Sequence, residues 1–496
     1  MKRLSSLLYF LILVPLSAWS QQLVLRGDYP DPSVVKIGDN YWATATTSNW
    51  APAYPILKSK DLVNWQTVSY VFPALPPWAD YYFWAPEITH ENGKVYVYYA
   101  AHKKDGNLCL GVASADKPEG PYTDHGPLMC QEVGSIDAFP MRDTDGKLYM
   151  IWKEDANSVG KPTSIWIMEM DEERKTLKGE KKELFRNTIP WEGNLVEGVS
   201  LVRHGDYIYA FYAGAGCCGA TCTYATGVAR SKSLFGPWEK YEKNPVLISN
   251  DEWLCPGHGT PVEKDGKNYF MYHAYEKNSN VYAGRQGLLI EYAITPDGWI
   301  EFVKPTAPPK HVAITDNAYD FREKDLSSQW QWSVFQQPKF QKKGGELHLT
   351  ASPTMPGSFL GHKTVTANYA ATTKVHAGKS TAVAGLGAIG DEKNMIGLYY
   401  DKGNLQIVQV RDGKDSLLSS QKIDNKKKLM LRMEVRNGKD ITFFYSLKGG
   451  NYTKLNDTPI NGAYLPPWDR AIRIGLLSRG EASTAAVFDN FEVDNE

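Results

Sequence analysis

Gly38-Asp-Asn-Tyr41 is the first of five related turn-and-strand segments along this chain. The other four are Gly93-Lys-Val-Tyr96, Gly146-Lys-Leu-Tyr149, Gly205-Asp-Tyr-Ile-Tyr209 and Gly266-Lys-Asn-Tyr269, so successive glycines are 55, 53, 59 and 61 residues apart. Short aromatic strands that repeat every 40–60 residues or so are typical of a β-propeller, in which each repeat forms one four-stranded blade around a central axis. The repeat therefore predicts an all-β fold with five blades.

Each of these segments is preceded, six to nine residues upstream, by an ionisable residue in a short apolar run. The five residues are Asp31, Glu87, Asp137, Glu197 and His258. If each run is the innermost strand of its blade, equivalent positions face the same axis and the five side chains surround one pocket. A lone acidic residue before a turn is commonly a solvated turn former. Charged side chains are rarely buried unless they are paired or functional, so five in register predict a polar central site.

The length of 496 residues exceeds what one hydrophobic core usually supports, and the strand pattern stops at Lys304-Pro-Thr-Ala-Pro-Pro-Lys310. Beyond this run, alternating segments such as Leu405–Val410 and Lys428–Val435 predict strands with one buried face, spaced as in a β-sandwich. They contain no cluster of acids and no nucleophile motif, so we expect an accessory or structural role. The predicted divisions are a signal peptide at 1–20, a catalytic propeller at 21–303, a linker at 304–316 and a β-sandwich at 317–496.

Charge and the N-terminal residues indicate partners and location. The chain has 55 basic and 56 acidic residues and no long basic run, which argues against nucleic acid or an anionic membrane as a partner. Lys2 and Arg3 precede an apolar stretch from Leu7 to Leu16, followed by the small residues that a signal peptidase prefers. That stretch is too short to span a membrane. We therefore expect a secreted or periplasmic enzyme.

Six cysteines, at positions 109, 130, 217, 218, 222 and 255, all lie in the predicted propeller. An oxidising compartment permits disulfides, but six thiols allow fifteen full pairings and the sequence does not choose among them. Adjacent Cα atoms are closer than is usual across a disulfide, so a bond between Cys217 and Cys218 would be strained. The alternative is that these two cysteines pair elsewhere or with Cys222 and Cys255. The spacing matches no zinc site.

An axial pocket with several carboxylates favours acid and base chemistry, because the chain has no nucleophilic Ser or Cys motif, phosphate-binding loop or dinucleotide fingerprint. Hydrolysis of a glycosidic bond needs two carboxyl groups: one protonates the leaving oxygen, and the other attacks the sugar or activates water. The acid has to remain protonated near neutral pH, and a third carboxylate nearby favours this by like-charge repulsion.

Five motifs contain the ionisable residues, in order and at the spacing of the repeat: Gly27-Asp-Tyr-Pro-Asp31-Pro-Ser-Val34, Phe83-Trp-Ala-Pro-Glu-Ile88, Ser135-Ile-Asp137-Ala-Phe139, Val196-Glu197-Gly-Val-Ser200 and Gly257-His258-Gly259. Their order and spacing closely resemble glycoside hydrolase family 43 over about residues 25 to 302. The resemblance implies an inverting, exo-acting enzyme with a five-bladed propeller that acts chiefly on arabinofuranosides and β-xylosides of plant cell walls. A C-terminal β-sandwich is also common in that family.

The resemblance also assigns roles. Asp31 looks like the general base that activates water, Glu197 like the general acid, and Asp137 like the third carboxylate that raises the pKa of the acid and orients it. His258 resembles the axial histidine of the family, which is often associated with a calcium ion or a water cluster. No cofactor is otherwise required.

Three further residues are candidates for substrate binding. Arg285 matches the arginine near the sugar subsite, and Glu87 belongs to the ring of ionisable residues. Trp84 either stacks on the sugar or is a core aromatic residue.

Several alternatives stay open at this point. Arabinofuranoside, xyloside and galactofuranoside differ by hydroxyl placement and one carbon, which loops have to read. A sister group of fructoside-cleaving propellers has Asn-Asp-Pro and Arg-Asp-Pro motifs, whereas this chain has Pro30-Asp-Pro32 and Arg142-Asp-Thr144. A non-hydrolytic glycan-binding propeller would not need three differently placed acids. The acid is followed by Gly-Val where many relatives have Gly-Pro, which leaves the fine specificity open.

Overall fold

The structure is a computed structural model that describes residues 21–303, 311–424 and 427–496. The all-β prediction is confirmed for these residues: one four-residue α-helix, Asn280–Ala283, and two 3-10 turns, Ala156–Val159 and Pro190–Glu192, are the only helical elements within them. The predicted signal peptide and residues 304–310 of the predicted linker lie outside the described residues. The rest of that linker contains no helix or strand, and Val312 donates a backbone hydrogen bond to Leu23.

Residues 21–303 form five antiparallel sheets, numbered here in chain order. Sheet 1 contains Ser33–Ile37, Asn40–Thr44, Ala53–Ser59 and Gln66–Phe72; sheet 2 contains Ala79–Glu91, Lys94–Lys103, Leu108–Ala115 and Thr123–Cys130; sheet 3 contains Ser135–Arg142, Leu148–Glu154, Ser164–Met170 and Leu177–Arg186. Sheet 4 contains Val196–His204, Tyr207–Gly214, Ala225–Ser231 and Glu239–Lys240; sheet 5 contains Gln22–Leu25, Trp253–Lys264, Lys267–Glu276, Arg285–Ile294 and Ile300–Phe302.

The repeated Gly-x-x-Tyr segments lie at one equivalent place in all five sheets. We call the first strand of each of sheets 1–4, and Trp253–Lys264 of sheet 5, the inner strand. Each glycine lies in the turn between the inner strand and the strand that follows it in the chain. All five glycines have φ between +57° and +82°, a backbone conformation that glycine adopts without steric cost. The tyrosine is the second or third residue of the second strand. The sequence repeat is therefore a repeated tight hairpin.

The inner strands contact one another in the cyclic order 1-2-3-4-5-1. In sheets 2–5 the inner strand also has one or more register shifts against its neighbour, and each of these strands has positive φ within a shift. The residues with positive φ include Ala85, Asp137, Gly198 and His258, and Asp31, which precedes the inner strand of sheet 1, has φ +50°. Such bulges turn a side chain away from the regular pleat of the strand. The inner strands of sheets 2–5 share this feature.

The C-terminal part consists of two sheets that share one hydrophobic core, as predicted for a sandwich. The larger contains Asn317–Tyr319, Phe340–Lys343, Glu346–Thr350, Tyr369–Val375, Leu429–Arg436, Asp440–Ser446, Thr453–Lys454, Ile460–Asn461 and Ala485–Asn495. The smaller contains Ser358–Lys363, Val383–Asp391, Asn394–Asp401, Asn404–Arg411, Lys414–Lys422 and Arg473–Arg479. Leu347 and Phe488 of the larger sheet lie in the same core as Leu386 and Ile396 of the smaller one.

Arg473 connects the two parts of the chain. Its guanidinium is completely buried, lies 3.2 Å from Asp28 Oδ2 and donates to Gln331 Oε1 at 2.7 Å. The backbone N–H of Ala471 donates to the same Asp28 oxygen at 3.3 Å. A second connection is a short sheet between Trp50–Ala51 and Trp332–Ser333. The two parts therefore share a polar, hydrogen-bonded interface.

We predict that Arg473→Met lowers the free energy of unfolding by about 3–5 kcal/mol, because Asp28 is then left buried without its charged partner. The double variant Asp28→Asn/Arg473→Met should recover part of this loss, since no uncompensated charge remains. Urea unfolding measures both, with the exposed Arg411→Met as the matched control. A loss below about 1 kcal/mol for Arg473→Met contradicts the assignment.

Candidate active site

A pocket of about 960 Å³ opens where the bulges of the inner strands meet. Its lining includes four of the five predicted ionisable residues, together with Arg285 and Trp84. The four are Asp31, Asp137, Glu197 and His258, and all three of the carboxylates are buried. Residues from four different sheets thus come together at the hub.

Asp31 is held by contacts on both carboxylate oxygens. Thr46 Oγ1 donates to Oδ2 at 2.6 Å, and Arg285 Nη1 lies 3.1 Å from Oδ1. Its backbone N–H donates to His273 Nδ1 at 3.0 Å. Burial opposes the ionisation of Asp31, but the Arg285 guanidinium and the neighbouring histidines outweigh it and lower the pKa below its ordinary value. Asp31 is therefore a carboxylate across the physiological pH range.

Asp137 and His258 meet around a glycine that immediately follows Glu197. The Gly198 N–H donates to Asp137 Oδ2 at 2.8 Å, while His258 Nδ1 lies 3.9 Å from Asp137 Oδ1 and 3.4 Å from Asp31 Oδ1. Gly198 has φ +60°, and a Cβ atom there would lie 2.8 Å from His258 Cγ. Any larger residue would displace the imidazole, so position 198 requires glycine for both its backbone conformation and its packing.

Glu197 has two partners that sequence analysis does not identify. Lys153 Nζ lies 2.6 Å from Oε2, and Tyr224 donates its hydroxyl to Oε1 at 2.8 Å. Lys153 is only 1% exposed and also contacts Asp155 Oδ1 at 2.9 Å. Burial opposes the charge on Lys153, but the two carboxylates raise its pKa above the ordinary value. It is thus a permanent cation beside Glu197.

The two remaining carboxylates differ in their affinity for a proton. Burial and the negative charge of Glu197 raise the pKa of Asp137 to about 6, although His258 acts in the opposite direction. Burial favours protonation of Glu197 as well, but Lys153 overrides it and lowers the pKa of Glu197. We expected Asp137 to raise the pKa of Glu197. The pKa directions differ from that expectation: Lys153 lowers the pKa of Glu197, while burial raises that of Asp137, so the proton affinity of the pair is higher at Asp137.

Glu87 does not face the pocket, which corrects the sequence prediction. The bulge of sheet 2 is at Ala85, two residues before Glu87, so Ala85 occupies the position equivalent to Asp137 and lines the pocket. Glu87 is buried outside the pocket lining, and Thr260 Oγ1 is 3.5 Å from its Oε2. Burial raises the pKa of Glu87 to about 8 despite hydrogen bonds from Ser33 and Thr260.

Trp84 lines the pocket beside residues from the C-terminal part. Its indole N–H donates to Ser48 Oγ at 3.0 Å and lies 3.1 Å from Asp469 Oδ2. Trp468 stands edge-on to Trp84, with ring centroids 5.7 Å apart, and is 55% exposed. Arg285 Nη2 donates to the Asp469 carbonyl at 3.0 Å. The C-terminal part, which we expected to be only accessory, therefore contributes one wall of the pocket.

The donor set around His258 does not fit a calcium site built from side chains. His258 Nδ1 faces Asp31 and Asp137, and the described residues contain no group of three or more His, Cys, Asp or Glu side chains placed to hold a metal ion. The calcium expected near His258 stays a prediction.

The cysteines form three disulfides: Cys109–Cys130, Cys217–Cys218 and Cys222–Cys255. The Cys217–Cys218 bond, described above as strained, is therefore present. Both of its residues line the pocket. The Cys222–Cys255 bond holds the same loop against sheet 5.

Several important side chains come from second strands, where no motif marked them. Lys153 follows the apolar run Leu148–Trp152, and His273 lies in the apolar run Phe270–Tyr275. A charged or imidazole side chain inside such a run is rarely buried without a partner, and this is the one signal that could have identified them. Tyr224 carries no such signal. His273 is neutral, because burial lowers its pKa to about 4.

Comparisons with known proteins match nearly all of the described chain. The profile of glycosyl hydrolases family 43 matches residues 20–300, and that of the β-xylosidase C-terminal concanavalin A-like domain matches residues 318–493. A xylan 1,3-β-xylosidase of a Vibrio species is 30% identical over 273 residues, which are 51% of this chain and 49% of the relative. A xylosidase/arabinosidase of Butyrivibrio fibrisolvens is 28% identical over 311 residues, 59% of this chain and 57% of the relative.

The chain thus spans about half the length of the first curated relatives that it matches. Among solved structures, a xylan β-1,4-xylosidase from Bacillus halodurans superposes with a TM-score of 0.80 over 96% of this chain and 100% of that chain, at 21% identity. At that identity the likeness concerns the fold. In the described residues, no helix has the length and apolar character needed to cross a membrane.

We predict that Glu87→Gln removes a pH-dependent loss of stability. The pKa of Glu87 is about 8 in the folded protein and near its ordinary value of 4.5 when unfolded, so the folded state retains a proton that the unfolded state loses. Stability from this group is present below pH 4.5 and is lost as the pH rises through 8, at about 1.4 kcal/mol per unit of pKa difference. Urea unfolding at pH 5, 6.5 and 8 should show a shallower decline in Glu87→Gln than in wild type. The exposed Glu263→Gln is the control, and parallel pH profiles for wild type and Glu87→Gln would disprove the assignment.

Proposed function

This chain belongs to glycosyl hydrolases family 43, and on that premise we propose that it is an exo-acting, inverting glycosidase. Its substrates are terminal α-L-arabinofuranosyl or β-D-xylosyl residues of plant cell-wall polysaccharides or oligosaccharides. The observation that carries this proposal is the convergence of Asp31, Asp137 and Glu197 in one pocket, each with a different set of partners. The matched relatives named xylosidase and xylosidase/arabinosidase support the choice of sugars.

We also propose that residues 21–303 form a closed five-bladed β-propeller. Five sheets, the cyclic contacts among their inner strands and the equivalent bulges support this arrangement. Closure would come from sheet 5, in which Gln22–Leu25 pairs with Arg285–Ile294 from the end of the same region. A strand from one chain end completing the last blade prevents an exposed sheet edge.

In the proposed reaction Asp31 is the base and Glu197 the acid. Asp31 removes a proton from a water molecule whose oxygen attacks the anomeric carbon. As the bond from that carbon to the glycosidic oxygen breaks, Glu197 transfers a proton to the leaving oxygen. Arg285 and Thr46 orient the Asp31 carboxylate, and its ionised state fits the role.

The proton that Glu197 delivers is the one held by the Asp137–Glu197 pair. Asp137 retains it up to about pH 6, and Lys153 with Tyr224 stabilises the Glu197 carboxylate that remains after donation. Lys153 therefore makes Glu197 a stronger acid, while Asp137 stores the proton before substrate binds. Three buried acids with such different environments are not needed by a protein that only binds glycans.

We further propose that the chain is exported, on the basis of Lys2, Arg3 and the apolar stretch Leu7–Leu16. N-terminal sequencing of the secreted protein, expected to begin near Gln21, checks this.

A panel of nitrophenyl glycosides tests the activity, and proton NMR of the first-formed sugar tests the stereochemistry. We expect hydrolysis of the arabinofuranoside or the xyloside with inverted anomeric configuration. A product that keeps its configuration rejects the mechanism. Turnover of the galactofuranoside alone would replace the proposed substrate, and no turnover of any glycoside would reject the enzyme assignment.

Asp31→Asn and Glu197→Gln should fail in different ways. Asp31→Asn abolishes turnover of every substrate, because the water lacks a base. Glu197→Gln spares substrates with acidic leaving groups, which need little protonation, and loses about 10²–10⁴-fold on poor leaving groups. Measuring kcat/KM across a series of aryl leaving groups separates the two; an equal loss on all of them rejects the acid role of Glu197.

Lys153→Met should shift the alkaline limb of the pH–rate profile. In wild type, kcat/KM falls as the pH rises through about 6, because the Asp137–Glu197 pair loses its proton. The positive charge of Lys153 lowers the pKa of both carboxyls, so its removal moves this limb upward by about one unit or more. The exposed Lys147→Met is the matched control. An unmoved limb in a variant that retains its melting temperature counts against the role of Lys153.

A further inference from the structure

A row of aromatic rings continues from the pocket across the end of sheet 2. Trp84 stacks on Tyr82 with ring centroids 4.2 Å apart, and Tyr82 meets Tyr81 edge-on at 4.7 Å. Tyr81 also stacks nearly parallel on His102, with ring centroids 4.0 Å apart. The ring of Phe335 lies 6.0 Å from that of Tyr81. We call Tyr81, Tyr82, His102 and Phe335 the aromatic shelf. The first three line the same pocket as the carboxylates.

The backbone is distorted to place two consecutive tyrosines side by side. In a regular strand, neighbouring side chains point to opposite faces. Tyr82 has φ +54°, and the strand shifts register on both sides of Tyr81. The Tyr82 N–H is satisfied by Asn49 Oδ1 at 2.9 Å. Left-handed backbone at a bulky residue costs about 1–3 kcal/mol and is concentrated at functional sites.

Phe335 extends the row from the C-terminal part on a fixed turn. Val334 donates its N–H to the Asn49 carbonyl at 3.0 Å, next to the short sheet that pairs Trp332–Ser333 with Trp50–Ala51. Gln336 closes the turn by donating to the Ser333 carbonyl at 3.1 Å. Even so, 52% of Phe335 is exposed. A bulky apolar ring held in solvent by a rigid backbone has no role in the core.

Polar groups accompany the rings. His102 Nδ1 and Asp80 Oδ1 are 2.8 Å apart at the edge of the shelf, and both side chains are partly exposed. Partly exposed aromatic rings beside hydroxyl-binding groups suit a sugar ring, which has an apolar C–H face and a polar rim. The pocket volume of about 960 Å³ is at the upper end of the range for ligand pockets, roughly 300–1,000 Å³, and leaves room beyond one sugar.

We propose that the aromatic shelf binds the neutral glycan chain that carries the scissile sugar, so that the enzyme reads several sugar units rather than one. This inference rests on the proposed function. The occupant follows from continuity: the shelf adjoins Trp84, which lines the pocket with the carboxylates, and ring contacts lead from Tyr82 through Tyr81 to Phe335.

The test compares long and short substrates. For wild type and Phe335→Ala, kcat/KM is measured on the preferred nitrophenyl glycoside and on oligosaccharides of two to six units with the same terminal sugar. We expect the ratio of oligosaccharide to aryl glycoside to fall about tenfold in Phe335→Ala and to recover in Phe335→Tyr. Phe235→Ala is the matched control, since Phe235 is also an exposed phenylalanine and contacts Tyr149 far along the chain from the shelf.

A binding experiment separates this proposal from the proposed function. Calorimetry with the six-unit oligosaccharide compares Asp31→Asn with Asp31→Asn/Phe335→Ala, which requires no turnover. Roughly tenfold weaker binding in the double variant supports the shelf, even if wild type hydrolyses no glycoside. Equal affinity, or an unchanged substrate ratio in Phe335→Ala with an unchanged melting temperature, overturns it. A change in sedimentation for Phe335→Ala without a change in affinity would assign Phe335 to contact between copies of the chain and also overturns it.

Discussion

The site depends on a backbone feature, positive φ at Asp31 and within the bulges of the inner strands of sheets 2–5. Asp31, Asp137 and His258 adopt this conformation without being glycine, at about 1–3 kcal/mol each. The surroundings offset part of that cost: the N–H of Asp31 reaches His273, and the side chain of Asp137 accepts from Gly198. In return, residues more than a hundred positions apart in sequence point into one space. A regular strand would direct alternate side chains into the sheets on either side.

Two buried cations make three similar carboxylates chemically different. Arg285 contacts Asp31, and Lys153 contacts Glu197, so both acids favour the ionised form. Asp137 receives a backbone N–H and a more distant imidazole, and burial therefore dominates its pKa. The proposed distinction between base, acid and proton store rests on which acid has a fixed cation. Any group that entered between Lys153 and Glu197 would shift the proton between the two acids.

The sequence indicates the fold well because a glycine and a tyrosine recur at the hairpin of every sheet. Counting six to nine residues back from each hairpin glycine also finds Asp31, Asp137, Glu197 and His258. Glu87 fails because counting back from a turn is accurate only to a residue or two, and the bulge in sheet 2 falls at Ala85. Because a bulge breaks the regular alternation of side chains, the residue two positions after Ala85 lies outside the pocket lining. Lys153, His273 and Tyr224 lie on second strands or loops, where only the folded chain shows what they contact.

The motif Asp28-Tyr-Pro-Asp31 explains why the two parts of the chain cannot be treated as independent. Asp31 faces the pocket, while Asp28, three residues earlier, is bound by Arg473 of the C-terminal part. Arg285 bridges the Asp31 carboxylate and the Asp469 carbonyl. The proposed base is therefore positioned by two sets of contacts that cross the interface. A change in how the C-terminal part packs would reach Asp31 through these two hydrogen-bonded arginines.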